Sequence, residues 1–331
     1  GGNWREFVSR GLLEPLTEVY NAEVETSAGN KKVGEFIFEE SRNKFYMQRL
    51  YGQGEAQPYA LPWSVLPCAI VYNETMLLDT VHTNSGFAVE GLEVGAKWTR
   101  TPQTVTELLA YFADIQTRYG GEVASLGWSG DSAHWFYFML FTWWAQAQGL
   151  DTSYIEGQGS FYDFWNFPSP EVYKQTGIQT ALSTLQSLIV KDGMFFNSVE
   201  DPVSKTSHDV ELEFAKGKVA MLLCGSFFEY EMKDFVDGDG DGQKDFSYKM
   251  MRVPALDTAS EGDRDMIFVG SDDVMFIPAK AANKQLAKEF LIFLSSEAQA
   301  MEFTKATGSL RAFDYNPIEL EPDHPWTEFN Q

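Results

Sequence analysis

Two apolar runs, YALPWSVLPCAIVYN at 59–73 and MIFVGSDDVMFI at 266–277, constrain this chain more than any other feature. The first carries Pro62 and Pro67, which cannot donate backbone hydrogen bonds and forbid a continuous helix. It therefore reads as two buried strand pieces joined by a kink. The second run is broken in the same way by a polar Gly-Ser-Asp-Asp. A kinked strand can carry a chain from one lobe to another, and here two interrupted strands recur far apart in sequence. The length of 331 residues independently favours about two domains.

Between and around these runs, helix and strand signals alternate. A short helix is expected over 4–12, stopped near Gly11, and a longer, partly charged one over 30–50. The capping box Thr104-x-x-Glu107 starts a helix of about four turns that runs toward Gly120. EVASLGWSGDS at 122–132 reads as a strand leading into a polar loop and then into SAHWFYFMLFTWWAQAQ at 132–148. That aromatic stretch is too short and too polar to span a bilayer, so it reads as a buried helix. Pro170 follows Ser169 at a helix start and leads toward Gly193. FAKGKVAMLLCGSFFEYEM at 214–232 gives a helix end, a turn at Gly217, a buried strand and a loop opening another helix. Two successive helices follow, one capped by Asn283 and the next by Ser295 or Ser296, with Gly308 closing the second. The tail PIELEPDHPWTEFNQ reads as an extended segment. The alternation argues for an α/β protein with mainly parallel sheets covered by helices on both faces.

The composition narrows the function classes. A formal charge of −23 repels phosphate backbones and anionic lipid, so nucleic acid is not an expected partner. Cys68 and Cys224 lie in apolar runs and read as buried thiols, while the four histidines have no metal-ligand spacing. No organic cofactor is expected. Aromatic residues reach 15%, a surplus that points to a ligand cleft or an interface. DGDGDGQKD at 237–245 fits the first nine places of an oxygen-cage loop for structural Ca2+. Asp237, Asp239, Asp241, Gln243 and Asp245 are its candidate ligands, with Gly242 at the sharp turn. Tyr248 stands where the bidentate Glu of such a loop belongs, which leaves the site weak unless another segment adds a carboxylate.

The order of LLEPL (12–16), YALPWSVLPCAIVYNETML (59–77), TPQTVTELLAYFADI (101–115), FAKGKVAMLLCGSF (214–227) and PAKAANKQLAKEFLIFLSSEAQAMEF (278–303) resembles a known family. It is that of the maltose-binding-protein-like family 1 extracellular solute-binding proteins of ABC importers. The resemblance implies a two-lobed, type II periplasmic-binding-protein fold, each lobe a mainly parallel sheet flanked by helices, with an interlobe hinge. It places 1–64 and 274–308 in an N-terminal lobe and 65–270 and 309–331 in a C-terminal lobe. Crossings are expected near 63–67, 270–273 and 308–313. The family's opening strand, helix and second strand have no counterpart here, nor does its export or lipoprotein signal, and its final helices are cut short. A fragment or a processed chain is therefore expected, extracytoplasmic, and membrane-bound only through a lipid anchor that this chain does not carry.

The function so implied is capture of a carbohydrate, an oligosaccharide in the leading reading, for delivery to the permease subunits, without catalysis. A sugar site needs aromatic platforms beside carboxylate or amide partners. Trp63 in the first crossing is one candidate, and Trp128 with Asp131 and Ser132 ahead of the aromatic helix is a second group. Phe227 stands where a family member carries a stacking Trp, and Phe228 beside it is the substitute. Asp272 and Asp273 in the second crossing would accept hydrogen bonds from ligand or hinge groups, and Arg311 in the third would donate to ligand or pair with an aspartate. Two other readings stay open: a secreted carbohydrate-active hydrolase using Asp131 and Asp273, and a calcium-stabilised surface interaction module.

Overall fold

The computed structural model describes residues 4–37, 47–50, 53–83, 86–131, 135–149, 161, 170–189, 205–236, 245–266, 268–270 and 273–317. The chain divides into two compact units, one running to Pro67 and resuming at Val269, the other spanning Cys68–Phe268.

The first unit opens with helices α1 (Trp4–Ser9) and α2 (Thr17–Asn21). Strands β1 (Glu23–Thr26) and β2 (Gly29–Lys32) then form an antiparallel hairpin, registered from Glu23↔Lys32 to Thr26↔Gly29. Gly29 has φ 98°, a left-handed value that a residue with a Cβ rarely adopts. A short α3 (Val33–Phe36) follows, and β3 (Met47–Leu50) pairs antiparallel with β4 (Gln53–Pro58). The single helix expected over 30–50 is thus replaced by a strand, one helical turn and another strand, with 38–46 outside the described residues. β5 (Leu61–Pro62) ends just before Trp63.

In the second unit, β6 (Leu66–Asn73), entered directly from the first unit, is the middle strand of a ladder. Helix α4 (Glu74–Asp79) continues from it, with Asn73 accepting the Met76 N–H as N-cap. Helix α5 (Val105–Tyr119) starts where Thr104 accepts the Glu107 N–H and ends at Gly120 in the left-handed conformation, as its caps predict. The aromatic helix α6 (Phe136–Gln148) is core. Met139, Trp143 and Trp144 are buried, and the two indoles donate to Pro254 O (2.8 Å) and Gln175 Oε1 (2.6 Å). It packs on α7 (Thr176–Ile189) so closely that a Cβ at Gly177 would lie 2.6 Å from Gln148 Cβ. Helix α8 (Ser207–Ala215), capped by Thr206, precedes β7 (Met221–Gly225), buried at every position. α9 (Phe228–Val236) and β8 (Tyr248–Met251) complete the unit.

β6 pairs antiparallel with β7 (Ala69↔Cys224) and with β8 (Ile70↔Met251), the 268–270 strand also pairs with β6, and parallel bridges join Ala124↔Val219 and Gly127↔Leu222. The mainly parallel sheet expected from the alternation is therefore only part of the pattern. The 123–127 and 219–225 segments are joined through helices and so run the same way, whereas β6 arrives from the other unit and runs against β7 and β8. Both cysteines are buried on this ladder.

β9 (Phe268–Gly270), which pairs with β6, leads the chain back to the first unit, where β10 (Val274–Met275) follows; they are the two strand pieces expected in the second interrupted run. β10 pairs antiparallel with β5. Helices α10 (Lys284–Leu294) and α11 (Glu297–Thr307) follow, N-capped by Asn283 and Ser296, with left-handed Gly308 at the end. Leu16, Val19, Phe36, Ile277, Leu291 and Phe313 form the core of this unit. The sequence reading assigns 309–331 to the C-terminal lobe; the described part, 309–317, packs in the first unit instead. The cause is local: Val65 N–H donates to Leu310 O (3.0 Å), Asp314 N–H to Phe36 O (2.8 Å), and Phe313 stacks on Phe36 at 5.2 Å.

Candidate functional site

The candidate residues fall into two groups, one in each unit. In the second unit a small cavity of about 20 Å3, room for roughly one water, opens beside the parallel bridge Gly127↔Leu222. A Cβ at Gly127 would lie 2.6 Å from Val210 Cγ1 and 2.9 Å from Val219 Cγ1, so only glycine lets α8 come this close. The next residue, Trp128, is half-buried and lines the cavity with Ser129, Trp135, Phe136, Ser207 and Glu211. Trp128 and Phe136 sit 5.8 Å apart, and Trp135 meets Phe227 edge-on at 5.8 Å. Ser129 Oγ donates to Asp131 Oδ1 at 2.7 Å, holding that exposed carboxylate beside the loop.

Glu211 rides on the apolar stripe of α8 with Val210, Phe214 and Ala215, and only 7% of it is exposed. Its Oε1 lies 3.8 Å from Cys224 Sγ, a weak donor, and its Oε2 lies 3.7 Å from Nδ1 of the exposed His208. Burial, reinforced by the nearby Glu231 and Asp131, pushes its carboxyl up to about 7. Glu231 is also raised, by burial.

In the first unit Trp63, Ser64, Asp273 and Arg311 come together. Trp63 N–H donates to Asp273 O (2.8 Å), and Ser64 Oγ donates to Asp273 Oδ2 (3.0 Å). The Arg311 guanidinium stacks on the Trp63 ring at 3.8 Å, with Phe313 at 5.2 Å and Phe303 at 5.4 Å. Arg311 is 1% exposed, and its Nε and Nη2 have no hydrogen-bond partner. Burial lowers its pKa to about 10, which leaves it charged at neutral pH. Among the described residues Arg311 therefore braces Trp63 and pairs with no aspartate.

Of the expected ligand residues, Phe228 is overturned by packing. It is fully buried, edge-on to Phe214 (5.4 Å) and Tyr248 (5.3 Å), and has no face to offer. Ser132 and Asp272 lie outside the described residues, as do the calcium candidates Asp237, Asp239, Asp241 and Gln243. Asp245 is described and exposed. Among the described residues no three His, Cys, Asp or Glu side chains converge to hold a metal. Trp135, Ser129, Ser207 and Glu211 were not foreseen. Glu211 left one trace in sequence, a carboxylate four residues before Ala215 on the face that Phe214 also shares.

The second unit's small cavity thus gathers indole rings, hydroxyls and a carboxyl at one place. The chain belongs to the bacterial extracellular solute-binding protein family, whose profile matches residues 2–314. Members of that family are periplasmic or surface-anchored. Its fold is the two-lobed type II form, shared with several solved structures. A family 1 extracellular solute-binding protein from Bifidobacterium longum subsp. infantis is 17% identical with a TM-score of 0.59, the match covering 98% of this chain and 71% of that one. A Thermotoga lettingae ABC transporter solute-binding protein bound with α-D-tagatose is 19% identical with a TM-score of 0.61, covering 99% and 69%. The GacH receptor of Streptomyces glaucescens, solved unliganded and with acarbose, is 18% identical with a TM-score of 0.61, covering 98% and 68%. No curated protein matches the chain by sequence.

Proposed function

We propose that this chain is the solute-capturing component of an ABC importer and that its solute is a carbohydrate, an oligosaccharide in the leading reading. The observation that carries this is the pocket of the second unit, where Trp128, Trp135 and Phe136 stand beside the Ser129 and Ser207 hydroxyls and the Glu211 carboxyl. A sugar ring has apolar C–H faces bounded by hydroxyls, and it needs this mixture of flat rings and hydrogen-bonding groups. Trp63, braced by Arg311, is a second platform, and Asp273 a second carboxylate. The ligands of the structural relatives, among them raffinose, chitin oligosaccharide, acarbose and tagatose, support the same class. A sugar held by both units would favour their closed arrangement and shift the population toward the form that a permease recognises. Binding without covalent chemistry is part of this reading, as is a structural Ca2+ at 237–245.

Titration calorimetry with raffinose, chito-oligosaccharides, acarbose and tagatose tests it. At least one sugar should bind and raise the unfolding temperature. Trp128→Ala should weaken that sugar about tenfold, the worth of one stacking contact. Failure of every sugar to bind would overturn the carbohydrate reading. Release of shorter sugars, abolished by Asp273→Asn, would make the chain a hydrolase.

A further inference from the structure

Among the described residues lining the second unit's cavity, Glu211 is the only one that carries an acid or a base. The groups facing it come from four places. His208 is on its own helix, Cys224 on β7, Glu231 on α9 and Asp131 on the loop after Trp128. The imidazole is 58% exposed and 3.7 Å away, beyond hydrogen-bond distance, while the other three are acids or a thiol. Of these groups only His208 could carry a positive charge, and burial together with Glu231 holds the proton on Glu211 up to about pH 7. A sugar laid over Trp128 and Trp135 would remove what water still reaches the carboxyl, making its charged form costlier still. The neutral acid loses nothing by this cover, since a carboxylic acid both donates and accepts.

We propose that Glu211 is a specificity-determining residue that meets the solute as a neutral carboxylic acid, donating its O–H to an acceptor oxygen, so that capture is coupled to proton uptake. The proton comes from solvent, and no covalent bond of the ligand changes. The inference rests on the carbohydrate reading and sharpens it. The group that reaches Glu211 is an oxygen acceptor of a neutral sugar and not an ammonium, because an ammonium would favour the ionised carboxylate. Affinity should hold at pH 6 and fall about tenfold for each pH unit well above 7.

The test is calorimetry with whichever sugar of the panel binds, between pH 6 and 8.5, in phosphate and in Tris, whose ionisation enthalpies differ. The wild-type chain should take up a growing fraction of one proton as pH rises above 7. Glu211→Gln keeps a neutral side chain with an N–H donor, so it should bind with a flat pH profile, show no linked proton, and exceed the wild type at pH 8.5. Thermal unfolding of Glu211→Gln at pH 6 confirms that the variant folds; Glu211→Asp, which keeps the acid, should retain the proton linkage. If sugars bind but Glu211→Gln shows the wild-type profile, or the wild type releases protons, the proposal falls alone. If no sugar binds either protein at pH 6, the carbohydrate reading falls and takes the proposal with it.

Discussion

Arg311 in the first unit and Glu211 in the second are both buried side chains with no hydrogen-bonded opposite charge among the described residues, yet the two surroundings treat them differently. Glu211 can shed its charge: its carboxyl titrates near 7, and below that it is a neutral hydrogen-bonding group. A guanidinium has no such exit, and even lowered to about 10 it stays charged. The chain answers with aromatic faces, placing Trp63, Phe313 and Phe303 around it. Asp114, also in the second unit, marks the opposite extreme. It is fully buried but accepts from Thr83 N–H (2.8 Å), Thr83 Oγ1–H (2.6 Å) and Trp98 Nε1–H (2.9 Å), with His82 Nδ1 2.9 Å away. Burial alone does not decide what a charged residue does; the donors, acceptors and rings in reach decide it.

The comparison can be broken by substitution. Asp114→Asn should have the largest effect, a loss of about 3–5 kcal/mol in urea unfolding, because an amide turns an N–H toward donors that already point inward. Arg311→Ala should cost about 2–4 kcal/mol through the void left among three rings. Arg311→Met, which fills the same space without charge, should be nearly neutral or stabilising; a loss as large as that of alanine would show that the charge itself contributes. Glu211→Gln comes next. The folded pKa is raised from 4.5 to about 7, so the native state keeps a proton that the unfolded chain releases. The stability this provides is complete below about pH 4.5 and declines as pH rises through 7. The variant should lack that slope and be more stable than the wild type at pH 8 by roughly 2–3 kcal/mol, as read from unfolding midpoints across pH. The smallest effect is expected of calcium. A millimolar site at 237–245 would add about 1.4 kcal/mol at tenfold excess over its Kd and leave sugar affinity unchanged. Asp239→Ala with Asp241→Ala should abolish that shift.

What could be read ahead of the structure was whatever short-range chemistry dictates. Thr104, Asn283 and Ser296 cap the helices they were expected to cap, because one side-chain oxygen and one N–H three residues on suffice. The prolines around Trp63 break their strand, and most of the aromatic run of α6 is core, since an almost continuously apolar helix has little polar face to turn to water, although Tyr137 stays exposed. The stretch over 30–50 departs from a single helix because only its VGEF turn is helical, whereas the hairpin before it depends on cross-strand pairing. Of the candidate site, the sequence points only to rings that stand next to a loop, as at Trp128 and Trp63. Phe227 and Phe228 are adjacent and chemically identical, and only packing on Phe214 and Tyr248 tells them apart. Arg311 and Glu211 acquire their character from residues distant in sequence, Phe303 and Trp63 for the one, Glu231 and Asp131 for the other.

Gly127 gives this last point a mechanical form. The hydrogen that serves as its side chain is the spacer that sets how deeply Val210, and Glu211 beside it, settle against β7. A methyl group there would act as a wedge, prying α8 outward and letting water in behind the carboxyl. The acidity of one side chain is thus geared to the thickness of another, and Gly127→Ala should restore an ordinary carboxylic acid at Glu211 without touching it.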